Sequence, residues 1–336
     1  MIHIKTSEPA LRVGMVGAGG IANAHLPAWL QLGAAVTVFS LNGAPELVAR
    51  HGGTVTGTLA ELLEQVDVVD VCTPTYTHPE IVLAAAAAGR HVLCEKPFAL
   101  DGATAASMVE ACAAAGVQLY PGHVVRYFPE YAAMRGAVAA GAIGTPAVLT
   151  FHRTGARPQA AWFADPELSG GIVMDQMIHD LDFARWLGGD VESVYARIAD
   201  SAPGTATGVV SAHVIARHHS GVISNCTGTW ARPGSRFRYG FQVAGSDGML
   251  AHDSAVDPTL RTDGGASGAG GLLPDVSLVE SPFVAEIREI AAAFTGGPAP
   301  RVSAADGVAA VRIAEAAVAS LTTGEPVAVD RIEVSA

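Results

Sequence analysis

Lysine is almost missing from this chain. Of its 20 basic residues only Lys5 and Lys96 are lysine, and the other 18 are arginine. Charge of any kind is scarce, at 15% of 336 residues, while 50% are hydrophobic, which excludes an intrinsically disordered chain. The basic residues are outnumbered by 32 acidic ones, for a net charge of −12, so a basic face for nucleic acid is not expected. The four cysteines, Cys72, Cys94, Cys112 and Cys226, form neither a CxxC pair nor a cluster. Without a disulfide framework or zinc spacing, the expected compartment is the reducing cytoplasm. Long apolar runs are absent too. The most apolar, Ile81 to Gly89, falls far short of the ~20 residues that cross a bilayer. The N-terminus has no basic stretch leading into a signal-peptide core, so no membrane partner is expected.

What is present is a rhythm. At roughly 100–200 residues per domain the length predicts two domains. From Leu11 onward, short apolar runs alternate with helical stretches: strands at Leu11–Val16, Val36–Leu41, Val66–Cys72, His91–Cys94 and Val117–Pro121, helices between them. A βαβαβ order with Val-rich strands buried on both faces predicts a parallel, doubly wound α/β sheet over residues 1–122. After Gly122 the pattern changes. Helices are expected at Tyr131–Ala140 and Gly171–Leu187. Strands are expected at Ala147–Arg153, Val191–Ile198, Val209–Arg217, Val222–Trp230 and Arg238–Ala244. That predicts an α+β domain over 123–336, built on an open, mainly antiparallel sheet. Its last helix, capped by Ser303, is placed to return to the first domain. The glycine-dense stretch Gly264–Gly271 is read as a loop, and no role is assigned to 264–282.

Gly17-Ala18-Gly19-Gly20-Ile21-Ala22 follows a strand and opens a helix, the context a GxGxxA turn requires to bind a dinucleotide. The first glycine permits the turn, the second admits a pyrophosphate to the backbone, and the helix start supplies free amides. An acidic residue is expected about 20 residues later to grip the adenosine ribose. That position falls on Ser40, and no arginine adjoins it to hold a 2′-phosphate, so NAD and NADP both stay open.

Lys96, in Cys94-Glu95-Lys96-Pro97, ends a strand of the same sheet and should project into the cofactor crevice. Asp175 and His179 stand four apart on a helical stretch and share a face, with Asp182 one turn on. That spacing fits a structural carboxylate–imidazole pair or, less well, a metal site. No metal is assigned.

Several segments together resemble the Gfo/Idh/MocA family, the glucose–fructose oxidoreductase and inositol dehydrogenase group. They are the glycine turn, Cys72-Thr73-Pro74 with His78, the Glu95-Lys96-Pro97 element, Arg126-Tyr127-Phe128-Pro129, Gly141-Ala142-Ile143-Gly144 and Ser169-Gly170-Gly171 running on to His179-Asp180-Leu181-Asp182. The resemblance covers about Leu11 to Gly248. It implies a Rossmann domain, a second domain whose sheet commonly joins homodimers or homotetramers, and a catalytic group of Lys96, Asp175 and His179. Glu95, Thr73, Pro74 and His78 would line the cofactor site, and the Lys96–Pro97 peptide is a candidate cis bond. Ser40 and Gln176 depart from the family pattern, which commonly has an acidic residue and a glycine there.

The activity so implied is hydride transfer between a nicotinamide and a secondary alcohol or ketone of a sugar, cyclitol or related polyol. His179 would accept the hydroxyl proton. Asp175, where it bonds or lies beside the other ring nitrogen, would orient the ring and favour its charged form. Lys96 would stabilise charge on oxygen, or share the proton where burial lowers its pKa. His123, Arg126, Arg153, Arg157 and Trp162 are candidates for binding substrate. Two alternatives share the fold: a nucleotide- and sugar-binding sensor without turnover, and a glycosidase that uses a held nicotinamide as a transient oxidant.

Overall fold

The computed structural model describes residues 11–202, 208–255 and 280–329. Lys5 and the glycine-dense stretch 264–271 lie outside them. Six parallel strands form the first sheet: β1 (Arg12–Val16), β2 (Ala35–Phe39), β3 (Thr54–Val55), β4 (Val68–Val71), β5 (His91–Glu95) and β6 (Leu119–Gly122). Their order is β3-β2-β1-β4-β5-β6. The order reverses between β1 and β4, and a doubly wound sheet opens its ligand crevice at that switch point. Five helices connect the strands: α1 (Ala22–Gln31), α2 (Ala44–His51), α3 (Leu59–Gln65), α4 (His78–Ala87) and α5 (Gly102–Ala114). Their starts are written locally. The Thr58 side chain accepts from the Glu61 amide and Asp101 from the Thr104 amide, each satisfying a donor the helix leaves free.

The second half opens with α6 (Pro129–Ala139) and the long strand β7 (Pro146–Ala156). A short helix, α7 (Pro166–Ser169), leads to a helix that begins at Gly171 and continues as α8 (Ile178–Gly188). Then come β8 (Val191–Asp200), β9 (Val210–His218), β10 (Ile223–Ala231), β11 (Arg238–Gly245) and β12 (Gly248–Asp253). With β13 (Val327–Ala328) they make a seven-stranded sheet ordered β12-β11-β7-β10-β9-β8-β13. One pairing departs from the expected antiparallel plan: β7 and β10 run parallel, with Cys226 beside Phe151. Residues 157–222 separate the two strands and contain α8 and a hairpin, enough chain for a crossover. One face of the sheet is covered by α8 and α10 (Ala304–Thr323), with Phe151, Ala212, Val214 and Val243 fully or almost fully buried there.

Two helices bind the halves together. α9 (Pro282–Phe294) places Val284, Ile287, Ile290 and Phe294 in the same core as Val13, Met15, Val36 and Val38 of the first sheet. The spacing of those four side chains is the apolar stripe of a surface helix. α10 lies between α5 and the second sheet, and Ser303 starts it in a reciprocal capping box with Asp306. Gly307 lets it approach, since a Cβ there would stand 2.6 Å from the Phe98 ring.

Candidate active site

The glycine turn has the geometry its spacing requires. Gly17 sits at φ +109°, and a Cβ there would lie 2.6 Å from the Cys72 carbonyl oxygen, so only glycine joins β1 to α1 beside β4. A Cβ on Gly19 or Gly20 would meet nothing within 4 Å. Their backbone is bare towards the crevice, as the approach of a pyrophosphate to the free amides of α1 demands. These residues fit a dinucleotide. The Ser40 hydroxyl donates to the Asn42 carbonyl at 2.8 Å.

Two adjoining cavities open over the carboxyl ends of the strands. The first, about 320 Å³, is lined by Gly19, Gly20, Thr73, Pro74 and Trp162 among others. The second, about 470 Å³, is lined by Arg153, Gln176, His179, Trp230, Phe237 and Phe283 among others. Ile21, Glu95, Lys96 and Asp175 line both, so the cavities are contiguous. Lys96 leaves the end of β5 at a cis Lys96–Pro97 peptide. Its Nζ donates to the Asp175 carbonyl at 2.8 Å and to Oδ1 at 3.2 Å. Residues Val173–Met177 form a π turn within the helix that starts at Gly171. Such a turn interrupts the i to i−4 hydrogen-bond ladder and recurs at functional sites. Gly228 accommodates it, since a Cβ there would collide with Met177 at 2.4 Å.

This pairing corrects the expected role of Asp175. No hydrogen bond joins it to His179, whose Nδ1 is buried with no hydrogen-bond partner. Burial first, then the positive charges of Lys96 and Arg153 and the neighbouring His123, hold the His179 pKa well below the ordinary 6.5. The imidazole is therefore neutral near pH 7, the state a proton acceptor needs. Asp175 neutralises and orients Lys96 instead.

The other expected residues divide. Thr73 and Pro74 line the first cavity. His78 lines neither cavity: its ring nitrogens lie 2.8 Å from the Pro97 carbonyl and 2.9 Å from that of Thr73, tying two crevice loops together. Among the substrate candidates, Trp162 and Arg153 reach the cavities. Arg153 is 2% exposed, with a bidentate grip on Asp180 at 2.8 and 3.1 Å. Arg126 does not line them. Fully buried, it holds Asp182 at 2.7 and 2.8 Å and also donates to Asp306 and the Arg301 carbonyl. Asp182 is thereby withdrawn from Asp175 and His179, which removes the metal reading of that trio. His123 is buried behind His179, ring to ring at 6.5 Å, and lines neither cavity. Arg157 lines neither and stands 6.0 Å from the Trp230 ring. The aromatic wall of Phe128, Trp230, Phe237 and Phe283 was missed. Only Phe283 carried a local signal, the amphipathic stripe of α9.

A six-stranded doubly wound sheet, a glycine turn at its switch point and a Lys–Asp–His cavity roofed by a second sheet define the class: a Rossmann-type oxidoreductase with a separate substrate layer. Residues 11–123 match a family model described as an oxidoreductase family with an NAD-binding Rossmann fold, and residues 131–251 match the GFO/IDH/MocA C-terminal domain. The chain is 30% identical to a myo-inositol 2-dehydrogenase of Thermotoga maritima, over 96% of this chain and 99% of that protein. It is 31% identical to a 1,5-anhydro-D-fructose reductase of Ensifer adhaerens, over 94% and 97%. Among solved structures, GenD2 from gentamicin A biosynthesis, in complex with NAD, superposes with a TM-score of 0.83 at 26% identity, over 96% of this chain and 97% of that one. The protein belongs to the GFO/IDH/MocA family and is an NAD(P)-dependent oxidoreductase.

Proposed function

We propose that the protein interconverts a secondary alcohol and a ketone on a sugar, cyclitol or related polyol. The observation that carries this is the placement of Lys96, Asp175 and His179 along one 470 Å³ cavity that shares its wall with the glycine-turn cavity. The bound nicotinamide supplies the hydride acceptor or donor. Neutral His179 takes the hydroxyl proton as the alcohol is oxidised. The Lys96 ammonium, held by Asp175, stabilises the negative charge growing on that oxygen. Phe128, Trp230 and Phe237 exclude water, while Arg153 and Gln176 offer the polar edge that a polyol requires. The named substrates of the relatives support a polyhydroxylated ligand.

The test is absorbance at 340 nm against a sugar and polyol panel with each nucleotide. Lys96→Ala and His179→Ala should each lose about 10²–10⁴-fold in kcat while nucleotide affinity holds. Because His179 stays neutral below pH 6.5, the acid limb of kcat/KM should fall below that value. Wild-type turnover in either variant refutes the assignment, and nucleotide binding without turnover on any substrate favours a sensor.

NAD is the favoured nucleotide in this reading. The family model that matches the first domain describes an NAD-binding Rossmann fold, and GenD2 was crystallised with NAD, which supports this choice. Thermal shifts with NAD+ larger than with NADP+ would support it, and the reverse order would refute it. Val148, Ile215, Ile223 and Met249 share the outer face of the second sheet by strand register, each 40% exposed or more. An apolar face of that kind supports a homodimer or homotetramer, and light scattering at a monomer mass would refute it. The domains in this reading are 1–122 and 123–336. Four buried, unbridged thiols support a reducing cytoplasm, which fractionation would test. Among the described residues no helix is long and apolar enough to cross a membrane.

A further inference from the structure

Behind the wall of the crevice lies a buried polar cluster that the reaction above does not use. His25, on α1, is fully buried with a carboxylate at each ring nitrogen: Nδ1 is 3.0 Å from Asp70 Oδ2, and Nε2 is 3.1 Å from Glu95 Oε1. Trp29 donates to Asp70 Oδ2 at 2.7 Å and the Cys72 thiol to Oδ1 at 3.4 Å. Glu95 lines both cavities and Cys72 the first, so Glu95 is the ionisable carboxyl of the cluster that reaches the ligand space. Its Oε2 accepts the Lys96 backbone amide at 3.1 Å. Gly122, at the end of β6, leaves Glu95 its room, because a Cβ there would stand 2.8 Å from Oε1. Glu286, on α9, closes the cluster from the far side. It is fully buried, and neither of its oxygens has a hydrogen-bond partner.

The charges can be assigned. Nδ1 is hydrogen-bonded to Asp70, whereas the Nε2–Glu95 contact is a close ion pair without hydrogen-bond geometry, and a ring set between two carboxylates is favoured in its charged, doubly protonated form. Burial opposes the charged ring, but Asp70 and Cys72 together outweigh it and hold the His25 pKa well above 6.5. Burial, reinforced by Glu95, pushes the Glu286 carboxyl well up, so it is neutral. The ligand atoms of His25, Asp70 and Cys72 lie within 4.8 Å of one another. Burial and then Asp70 push the Cys72 thiol up, however, and a protonated thiol already bonded to Asp70 is not in the metal-binding form. Two carboxylates against one imidazolium leave one net negative charge, and it faces the crevice at Glu95. Across the cavity the Lys96–Asp175 and Arg153–Asp180 pairs each sum to zero.

We propose that this relay is a charge-selective part of the cofactor site: His25, backed by Asp70, positions the Glu95 carboxylate so that the crevice favours the cationic oxidised nicotinamide over the neutral reduced one. The proposal rests on the nucleotide-binding reading above. His25 is a positioning residue that acts through Glu95. Once hydride has been accepted the ring is neutral, the attraction is lost and the reduced nucleotide leaves more readily.

The test measures dissociation constants for the oxidised and reduced forms of the preferred nucleotide, by calorimetry and by nucleotide fluorescence, on the full-length protein without substrate. A charge within ~4–6 Å shifts an equilibrium by at least about tenfold. Glu95→Gln should therefore weaken the oxidised form about tenfold and change the reduced form less than twofold. Asp70→Asn, which takes one carboxylate from the cluster, should move the ratio in the same direction by a smaller factor, whereas His25→Gln, which removes the cation, should move it the other way. If either variant does not fold, Glu95→Gln alone decides the charge effect. Equal weakening of both forms, or no change in either, overturns the proposal. A wild-type chain that binds neither form overturns it together with the nucleotide-binding reading.

Discussion

Replacing Arg126 by methionine would separate a structural role for this residue from the substrate-binding role its sequence position suggested. The guanidinium is fully buried and makes four bonds: two to Asp182, one to Asp306 and one to the Arg301 carbonyl. Methionine fills the stem but leaves Asp182, 2% exposed, facing only His123 Nδ1 at 3.9 Å, an imidazole whose pKa burial lowers. Asp306 is harmed less, because Arg185 still holds it at 2.7 Å. Stranding one buried partner of an ion pair costs about 3–5 kcal/mol. In a chain of this size that corresponds to a fall in Tm of roughly 4–7 °C. Substrate KM, measured well below the transition, should stay within about twofold, since Arg126 lines neither cavity. The double variant Arg126→Met/Asp182→Leu should regain much of the loss, because the stranded charge is gone. The assay is differential scanning calorimetry paired with steady-state kinetics. An unchanged Tm with a KM raised tenfold or more would refute the reasoning and restore Arg126 to the substrate.

Other outcomes follow from single contacts. Gly17→Ala should lower both Tm and nucleotide affinity, because its Cβ meets the Cys72 carbonyl at 2.6 Å. Gly20→Ala, with nothing within 4 Å, should cut affinity while Tm holds, and melting curves with a nucleotide titration tell the two apart. Burial alone would raise the Asp306 carboxyl, but Arg126 and the Ser303 cap hold it down at about 2, below its ordinary 3.8. Its contribution, about 2 kcal/mol, is thus fully present above pH 4 and lost as pH falls towards 2. Asp306→Asn should flatten the stability curve across that window in acid titrations followed by circular dichroism, and an unchanged curve would refute the assignment.

Much of the fold was legible because its signals are local. The Val-rich strands, the glycine turn and the Ser303 cap each lie within a few residues of what they specify. β3 and β12 were missed; β3 is only two residues long and β12 a turn-flanked hairpin arm. The parallel pairing of β7 with β10 has no local signature, since a strand does not encode its neighbour's direction. α9 was legible in principle, as Val284, Ile287 and Phe294 follow a helical stripe.

At the site the division is sharper. The scarcity of lysine, the strand that Lys96 ends and the family motifs sufficed to name Lys96, Asp175 and His179 as a group. Spacing also put Asp175 and His179 on one helix face, but spacing cannot say which neighbour a side chain bonds. Only the tertiary fold, which brings the residue after β5 to the π turn, gave Asp175 to Lys96, and burial left His179 neutral. The same holds for the arginines. Arg126 and Arg153 look alike in sequence, yet burial commits the first wholly to Asp182 and Asp306 and leaves the second at the cavity wall. Residue identity settled which chemical groups were available. Electrostatics in a low-dielectric interior, where every charge must find a partner, decided what each one does.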